Sequence, residues 1–171
     1  MFSTASFSDK KNDIKGGRFI IKISQMAKKY NVVVVVVALS MDLKRNYDNI
    51  ICAGAIKDKG ELAEYYSLAD VVLLTSKRET YSMVTAEALM CGTPVSGFYA
   101  GGPETIAISE YSRFCDYGDS NQLFNNALEL MSLKSNKCEI SMMAHQEYNK
   151  KRMCQQYFDI YKELTEKGEN L

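Results

Sequence analysis

The chain has 171 residues, and its 21 lysines and arginines balance its 21 aspartates and glutamates. That length gives a single domain with a real core, and the zero net charge offers no excess for nucleic acid or for strong attraction to a membrane. Five widely spaced cysteines without a C-x-x-C pair, and His145 as the one histidine, argue against structural zinc and for reduced thiols in a cytosol; no apolar leader follows Met1, and no apolar run is long enough to span a bilayer.

In chain order, Phe2 to Phe7 (FSTASF) reads as a short strand, and Ser8 to Ile14 as a polar loop carrying Lys10 and Lys11. Lys15-Gly16-Gly17-Arg18 opens an amphipathic helix to about Tyr30, with Phe19, Ile20, Ile23 and Met26-Ala27 apolar. A lysine at a helix N-terminus opposes the helix dipole. A bound anion shared by N–H groups and the ammonium accounts for it, and so does a solvated basic turn. Six consecutive valines, Val32 to Val37, suit a strand buried on both faces, because β-branched side chains resist helix. Asn49 to Ile56 (NIICAGAI) reads as the third central strand and meets the turn Lys57-Asp58-Lys59-Gly60. Glu61 to Leu68 is a short helix, whose Leu62, Tyr65 and Tyr66 fit packing on the sheet better than stacking on a base.

Asp70 to Ser76 (DVVLLTS) is too short for a helix core and reads as a buried parallel strand, followed by the polar loop Lys77-Arg78-Glu79-Thr80. Tyr81 to Met90 has helical spacing, and Cys91-Gly92-Thr93-Pro94 stops it. Pro94 to Phe98 is the next strand, and Gly101-Gly102-Pro103 opens another helix with Pro103 in its first turn. Tyr111 to Asp119 reads as irregular and polar, with Ser120-Asn121 capping a helix from Gln122 to about Leu133. After a loop at Lys134 to Cys138, Ile140 to Lys167 holds two helical pieces or one bent one, and Gly168 to Leu171 frays. Tyr148, Met153, Tyr157, Ile160-Tyr161 and Leu164 form a stripe; packing on the chain's own sheet is the simpler account, and a second domain's surface the other.

This alternation predicts an α/β fold, a doubly wound parallel sheet of Rossmann-like type. Ligands of such sheets bind beyond the carboxyl ends of the strands, near helix N-termini. Glu79 falls in one of those loops, and Glu87 about two helical turns further on. A carboxylate beside ribose or sugar hydroxyls makes charge-assisted hydrogen bonds; a loop acid plus a solvated helix face is the alternative.

Ala69-Asp70, Ser76, Glu79, Glu87-Ala88, Cys91-Gly92-Thr93-Pro94-Val95 and Gly101-Gly102-Pro103-Glu104 together resemble the donor-binding, C-terminal domain of a GT-B glycosyltransferase. The specific resemblance is to family 4, the retaining enzymes with an E-x7-E motif. Within it the run Tyr-Ser-Met-Val-Thr-Ala-Glu-Ala-Leu is similar to the bacterial enzymes of capsule, exopolysaccharide and lipopolysaccharide synthesis. The resemblance covers most of the chain and is strongest from Leu62 to Ile106. It implies that the whole chain, 1–171, is one nucleotide-sugar binding domain with C-terminal helices at about 140–167. Lys15 matches a lysine that contacts the donor diphosphate; where relatives carry a Gly-Arg pair for a second cation, Lys10 or Lys11 stands in. Ile56 and Lys57 lie where backbone groups read the nucleobase. Arg78 is a further cation for the phosphates, and the N–H groups of Tyr81, Ser82 and Met83 meet phosphate or sugar oxygens. Many relatives have glycine at Ser82. The resemblance makes Glu79 the catalytic residue, in contact with the donor sugar, puts Glu87 at the ribose hydroxyls, and places Gly101 and Gly102 in the loop near the sugar and phosphates.

No Asp-x-Asp pair occurs, so neither a metal nor another cofactor is expected; cations and helix N-termini neutralise the leaving diphosphate. The implied partners are a nucleotide-sugar donor and an N-terminal acceptor-binding domain that is missing from this chain, through which the enzyme can touch the inner face of the membrane from the cytoplasm. Alone, the chain is expected to bind nucleotide weakly and transfer nothing. A noncatalytic nucleotide-binding or subunit-interaction domain is the alternative. A GT-B sugar-nucleotide epimerase fits worst, since His145 lies far from the motif loops.

Overall fold

The computed structural model describes residues 1–8, 10, 12–42, 47–133 and 136–168, without the side chains of 5, 39–42, 167 and 168. The elements are β1 (Phe2–Ser8), α1 (Gly17–Ala27), β2 (Val34–Asp42), β3 (Ile50–Gly54), α2 (Lys59–Leu68), β4 (Val72–Leu74), α3 (Met83–Met90), β5 (Val95–Phe98), α4 (Pro103–Ile106), β6 (Ser112–Cys115), α5 (Ser120–Ser132), α6 (Lys137–Glu147) and α7 (Lys150–Gly168). Two parallel three-stranded sheets, β1-β2-β3 and β4-β5-β6, adjoin along β1 and β4. There the Leu73 N–H donates to the Met1 carbonyl (2.8 Å) and the Met1 amine to the Val71 carbonyl (2.7 Å), the slanted pattern of parallel pairing. Read across, the order is β3-β2-β1-β4-β5-β6, and the winding reverses between β1 and β4.

Alternation along the strands divides the core between the two faces. Val34, Val36, Ala38, Val71, Leu73 and Phe98 pack with Phe19, Ile20 and Ile23 of α1 and Leu123, Ala127 and Leu130 of α5. On the other face Val37, Val72, Leu74 and Val95 pack with Tyr66 of α2, Ala88 and Leu89 of α3, and Ile140 and Ala144 of α6. The predicted α/β doubly wound fold is therefore what forms. Val72 and Val95 are fully buried, each worth roughly 1.5–3 kcal/mol over an exposed side chain.

Several local expectations are corrected. The valine run is not buried throughout: Val33 is exposed, and strand β2 starts only at Val34. Strand β3 is an edge, not a central strand, and Ile51 and Cys52 are exposed on it. The segment taken as irregular contains β6, paired with β5 from Val95–Ser112 to Phe98–Cys115. The cap of α5 is Asp119, whose carboxylate accepts the N–H of Asn121 (3.1 Å) and Gln122 (2.9 Å). The C-terminal region is two helices. The stripe of α7 does not pack on the chain's own sheet, because Met153, Tyr157, Ile160, Tyr161 and Leu164 are all exposed. Of the end predicted to fray, Gly168 to Leu171, Gly168 closes helix α7, while 169–171, Lys11 and the loop residues 134 and 135 lie outside the described residues.

Candidate functional site

The loops after β1 and β4 converge at the point where the winding reverses. Two glycines make their approach possible. Gly16 has φ +73°, and a Cβ there would overlap the Thr75 carbonyl; one on Gly17 would overlap the Ser8 carbonyl. The turn is then tied at several points. Asp13 accepts the N–H of Lys15 (3.1 Å) and of Gly17 (3.2 Å). The hydroxyl of fully buried Thr75 donates to the Lys15 carbonyl (2.8 Å), and the Lys77 N–H donates to Ile14 (2.8 Å). The N-terminal N–H of α1 thus meets a carboxylate of its own chain, and the reading of a phosphate held there by N–H groups together with Lys15 needs amending. The Lys15 ammonium points across the gap to Glu79, Nζ to Oε1 2.6 Å, with the side chains 35% and 25% exposed. It is neither a solvated basic turn nor a free cation.

Glu79 is held by its backbone. Its N–H donates to the Ala100 carbonyl (2.9 Å), and it forms a parallel bridge with Gly101. Gly101 has φ +104°. A Cβ on Gly102 would stand 2.6 Å from the Thr80 carbonyl and 2.7 Å from the Tyr81 nitrogen, so the two motif loops touch only because glycine is there. Glu104 braces this contact by accepting the N–H of Gly101 (2.7 Å) and Ala100 (3.1 Å). Burial would raise its carboxyl, but its own backbone N–H together with those of Ala100 and Gly101 holds it below the ordinary glutamate range.

Ser82 caps α3 with φ +73°, the left-handed conformation that glycine adopts freely. Its hydroxyl compensates by accepting from Thr85 Oγ1 (2.9 Å) and from the Thr85 N–H. The Thr85 and Ala86 N–H groups also donate to the Ser82 carbonyl (3.0 and 3.5 Å), and Ser82 and Met83 at the start of α3 line the gap. Glu87 lies further along α3, half-buried, and receives the Tyr66 hydroxyl at 3.1 Å. Tyr66 is 1% exposed. Burial pushes its phenol well up; the Ser3 side chain pulls the other way and the Glu87 carboxylate adds to the rise, so the phenol remains a donor.

A cavity of about 330 Å³ opens here, and Lys15, Ser76, Glu79, Tyr81, Ser82 and Met83 line it. Of the predicted site residues, five stand together: Lys15, Glu79, Tyr81, Ser82 and Met83. Gly101 and Gly102 support that group from the neighbouring loop. Glu87 stands apart on α3. Arg78 is exposed in the loop after β4, Lys57 is exposed after β3, and Ile56 is half-buried against the α2–α3 face of the core; none of the three lines the cavity. Sequence reasoning missed Asp13, Thr75 and Glu104 and took Tyr66 only as packing. The DIKGG and GGPE runs held signals for the first and third, as a carboxylate two to four residues from free glycine N–H groups. An apolar cavity at the opposite end of the sheet, around Val33, Leu68 and Met131, is remote from these loops. No helix among the described residues is long and apolar enough to cross a membrane.

The family model for glycosyl transferases group 1 matches residues 6–132. N-acetyl-alpha-D-glucosaminyl L-malate synthase of Bacillus anthracis is 28% identical over 114 residues, which are 64% of this chain and 30% of that protein. HepE of Anabaena, crystallised in complex with UDP, superposes with a TM-score of 0.70 at 19% identity over 95% of this chain and 48% of its own. The crystallised C-terminal domain of LpcC, a glycosyl transferase group 1 family protein of Francisella tularensis, gives 0.60 at 21% identity over 86% and 81%. The chain therefore spans less than half of the first two proteins. The structural likeness is one of fold, and the architecture is a Rossmann-like half of GT-B. With the match extending over most of its length, the chain belongs to the group 1 glycosyl transferase family.

Proposed function

We propose that this chain is the donor-binding half of a retaining glycosyltransferase with an E-x7-E motif, acting in bacterial surface polysaccharide synthesis. One observation carries the reading: Lys15 and Glu79, distant in sequence, meet at 2.6 Å at the winding reversal, beside the start of α3. A cation, a carboxylate and helix N–H groups within one cavity suit a diphosphate that carries a polyhydroxy group. In this reading Lys15 takes the diphosphate, with Arg78 from the exposed rim. The N–H groups of Tyr81, Ser82 and Met83 take phosphate or sugar oxygens, Glu79 takes the sugar hydroxyls, and Glu87, oriented by Tyr66, takes the ribose. Ile56 and Lys57 form the base-reading edge after β3, and Gly101 and Gly102 let the loops close around the sugar. The whole chain is one donor domain, and an N-terminal acceptor domain completes the enzyme at the cytoplasmic face of the membrane. No metal takes part. The UDP in the crystals of the HepE protein supports a uridine nucleotide as the first donor base to try.

The test is calorimetric titration of the chain with UDP, GDP and their sugar conjugates in EDTA, beside Glu87→Gln. Binding of one nucleotide that weakens in the variant supports the reading. A folded chain that binds none of them refutes it. Sugar transfer by the chain alone would refute the need for a second domain.

A further inference from the structure

Resting on that reading, we propose that the Lys15–Glu79 ion pair is a gate that makes the site discriminate an intact sugar nucleotide from the free nucleoside diphosphate. The pair is formed already, at 2.6 Å, by two side chains that each keep only a quarter to a third of their exposure. Both are presented by braced backbone: Lys15 by Asp13 and Thr75, Glu79 by Ala100. Neither loop can slide the charges apart at low cost. A diphosphate that recruits the Lys15 ammonium must displace the carboxylate. Glu79 then stands beside new negative charge with no cation, in a partly desolvated place. A free nucleoside diphosphate offers no donor group there to relieve it. A sugar on the terminal phosphate does, because its hydroxyls make charge-assisted hydrogen bonds to the released carboxylate. The same two residues therefore oppose the cleaved nucleotide and accept the uncleaved donor, which favours departure of the nucleoside diphosphate after transfer. Glu79 is in this sense a specificity-determining residue.

The experiment is titration of the full chain and of Glu79→Gln, Glu79→Ala and Lys15→Met with UDP and with UDP-N-acetylglucosamine, repeated with GDP and GDP-mannose. Circular dichroism checks that each variant is folded. The gate predicts that Glu79→Gln and Glu79→Ala bind the nucleoside diphosphate about two- to fivefold tighter than the native chain, the range of a partly exposed ion pair. The gain shrinks as added salt screens the pair. The sugar nucleotide gains nothing or weakens, so the preference for it falls or inverts. Lys15→Met weakens both ligands. If Lys15→Met weakens binding while both Glu79 variants leave the nucleoside diphosphate unchanged or weaker, the gate is wrong and the donor-site reading stands. If neither nucleotide binds the native chain or any variant, the donor-site reading fails and takes the gate with it.

Discussion

Tyr66 and Glu87 allow a thermodynamic test that does not depend on any ligand. The Tyr66 hydroxyl sits on a side chain 1% exposed and donates to the carboxylate at 3.1 Å. Removing Glu87 strands a buried donor, whereas removing the hydroxyl strands a half-buried carboxylate that water still reaches. Glu87→Ala is expected to destabilise by about 1–3 kcal/mol, the cost of an unsatisfied buried hydroxyl. The lower end applies, because the Ser3 side chain lies on the same oxygen. Tyr66→Phe is expected to cost about 0.5–1.5 kcal/mol, the net worth of one hydrogen bond. The double variant leaves nothing unpaired, so it should cost about 1 kcal/mol less than the sum of the two singles, a coupling typical of contacting residues. Urea unfolding of the four proteins, followed by circular dichroism, measures the cycle. Additivity to within about 0.5 kcal/mol would show that the hydroxyl does not hold Glu87, and Tyr66 would return to a packing role.

Three further outcomes are expected. Gly102→Ala forces a methyl to 2.6 Å from the Thr80 carbonyl, so it should destabilise by about 1–3 kcal/mol and weaken nucleotide binding; an unchanged urea midpoint would contradict the close loop contact. Ser82→Gly removes left-handed strain while losing the hydroxyl cap, and the two should cancel to within about 0.5 kcal/mol; Ser82→Ala keeps the strain, loses the cap and should cost about 1–2 kcal/mol. Equal losses from the two would deny the strain. Glu104 has a depressed folded pKa, so its contribution is fully present above the ordinary glutamate range and is lost as pH falls through the folded value. The stability difference between the native chain and Glu104→Gln should therefore be flat from about pH 7 to 5 and shrink below about pH 4; a difference constant to about pH 3 would refute the backbone clamp.

Much of the architecture lies in local pattern. Apolar runs of strand length, alternating with helices of suitable spacing and punctuated by Gly92, Pro94 and Pro103, already dictate a parallel sheet with helices on both faces. The carboxyl end of the strands follows from chain direction alone, and so does the placement of Glu79 and the Gly101-Gly102 loop there. Strand β6 was not legible, because Arg113 and Phe114 are only half-buried and its four residues show no alternation. The edge position of β3 was hidden for the opposite reason: NIICAGAI is as apolar as a central strand, yet pairing is a property of neighbours, and among the described residues β3 pairs with β2 alone. The exposed face of α7 has the same cause, since an amphipathic stripe states that a surface is apolar and not what covers it.

What the sequence by itself determined is therefore the order and kind of most of the elements, the resemblance to group 1 glycosyl transferases, and which loops carry the charged residues. These depend on side-chain periodicity and on turn chemistry within a few residues. Only the tertiary structure decided which charges meet. Lys15 and Glu79 are 64 positions apart and Tyr66 and Glu87 are 21 apart, and no local rule joins them. Lys15 meets Glu79 because β1 and β4 lie side by side and because Gly16 and Gly102 let backbone approach backbone where any side chain would intrude, and Tyr66 meets Glu87 because α2 packs against α3.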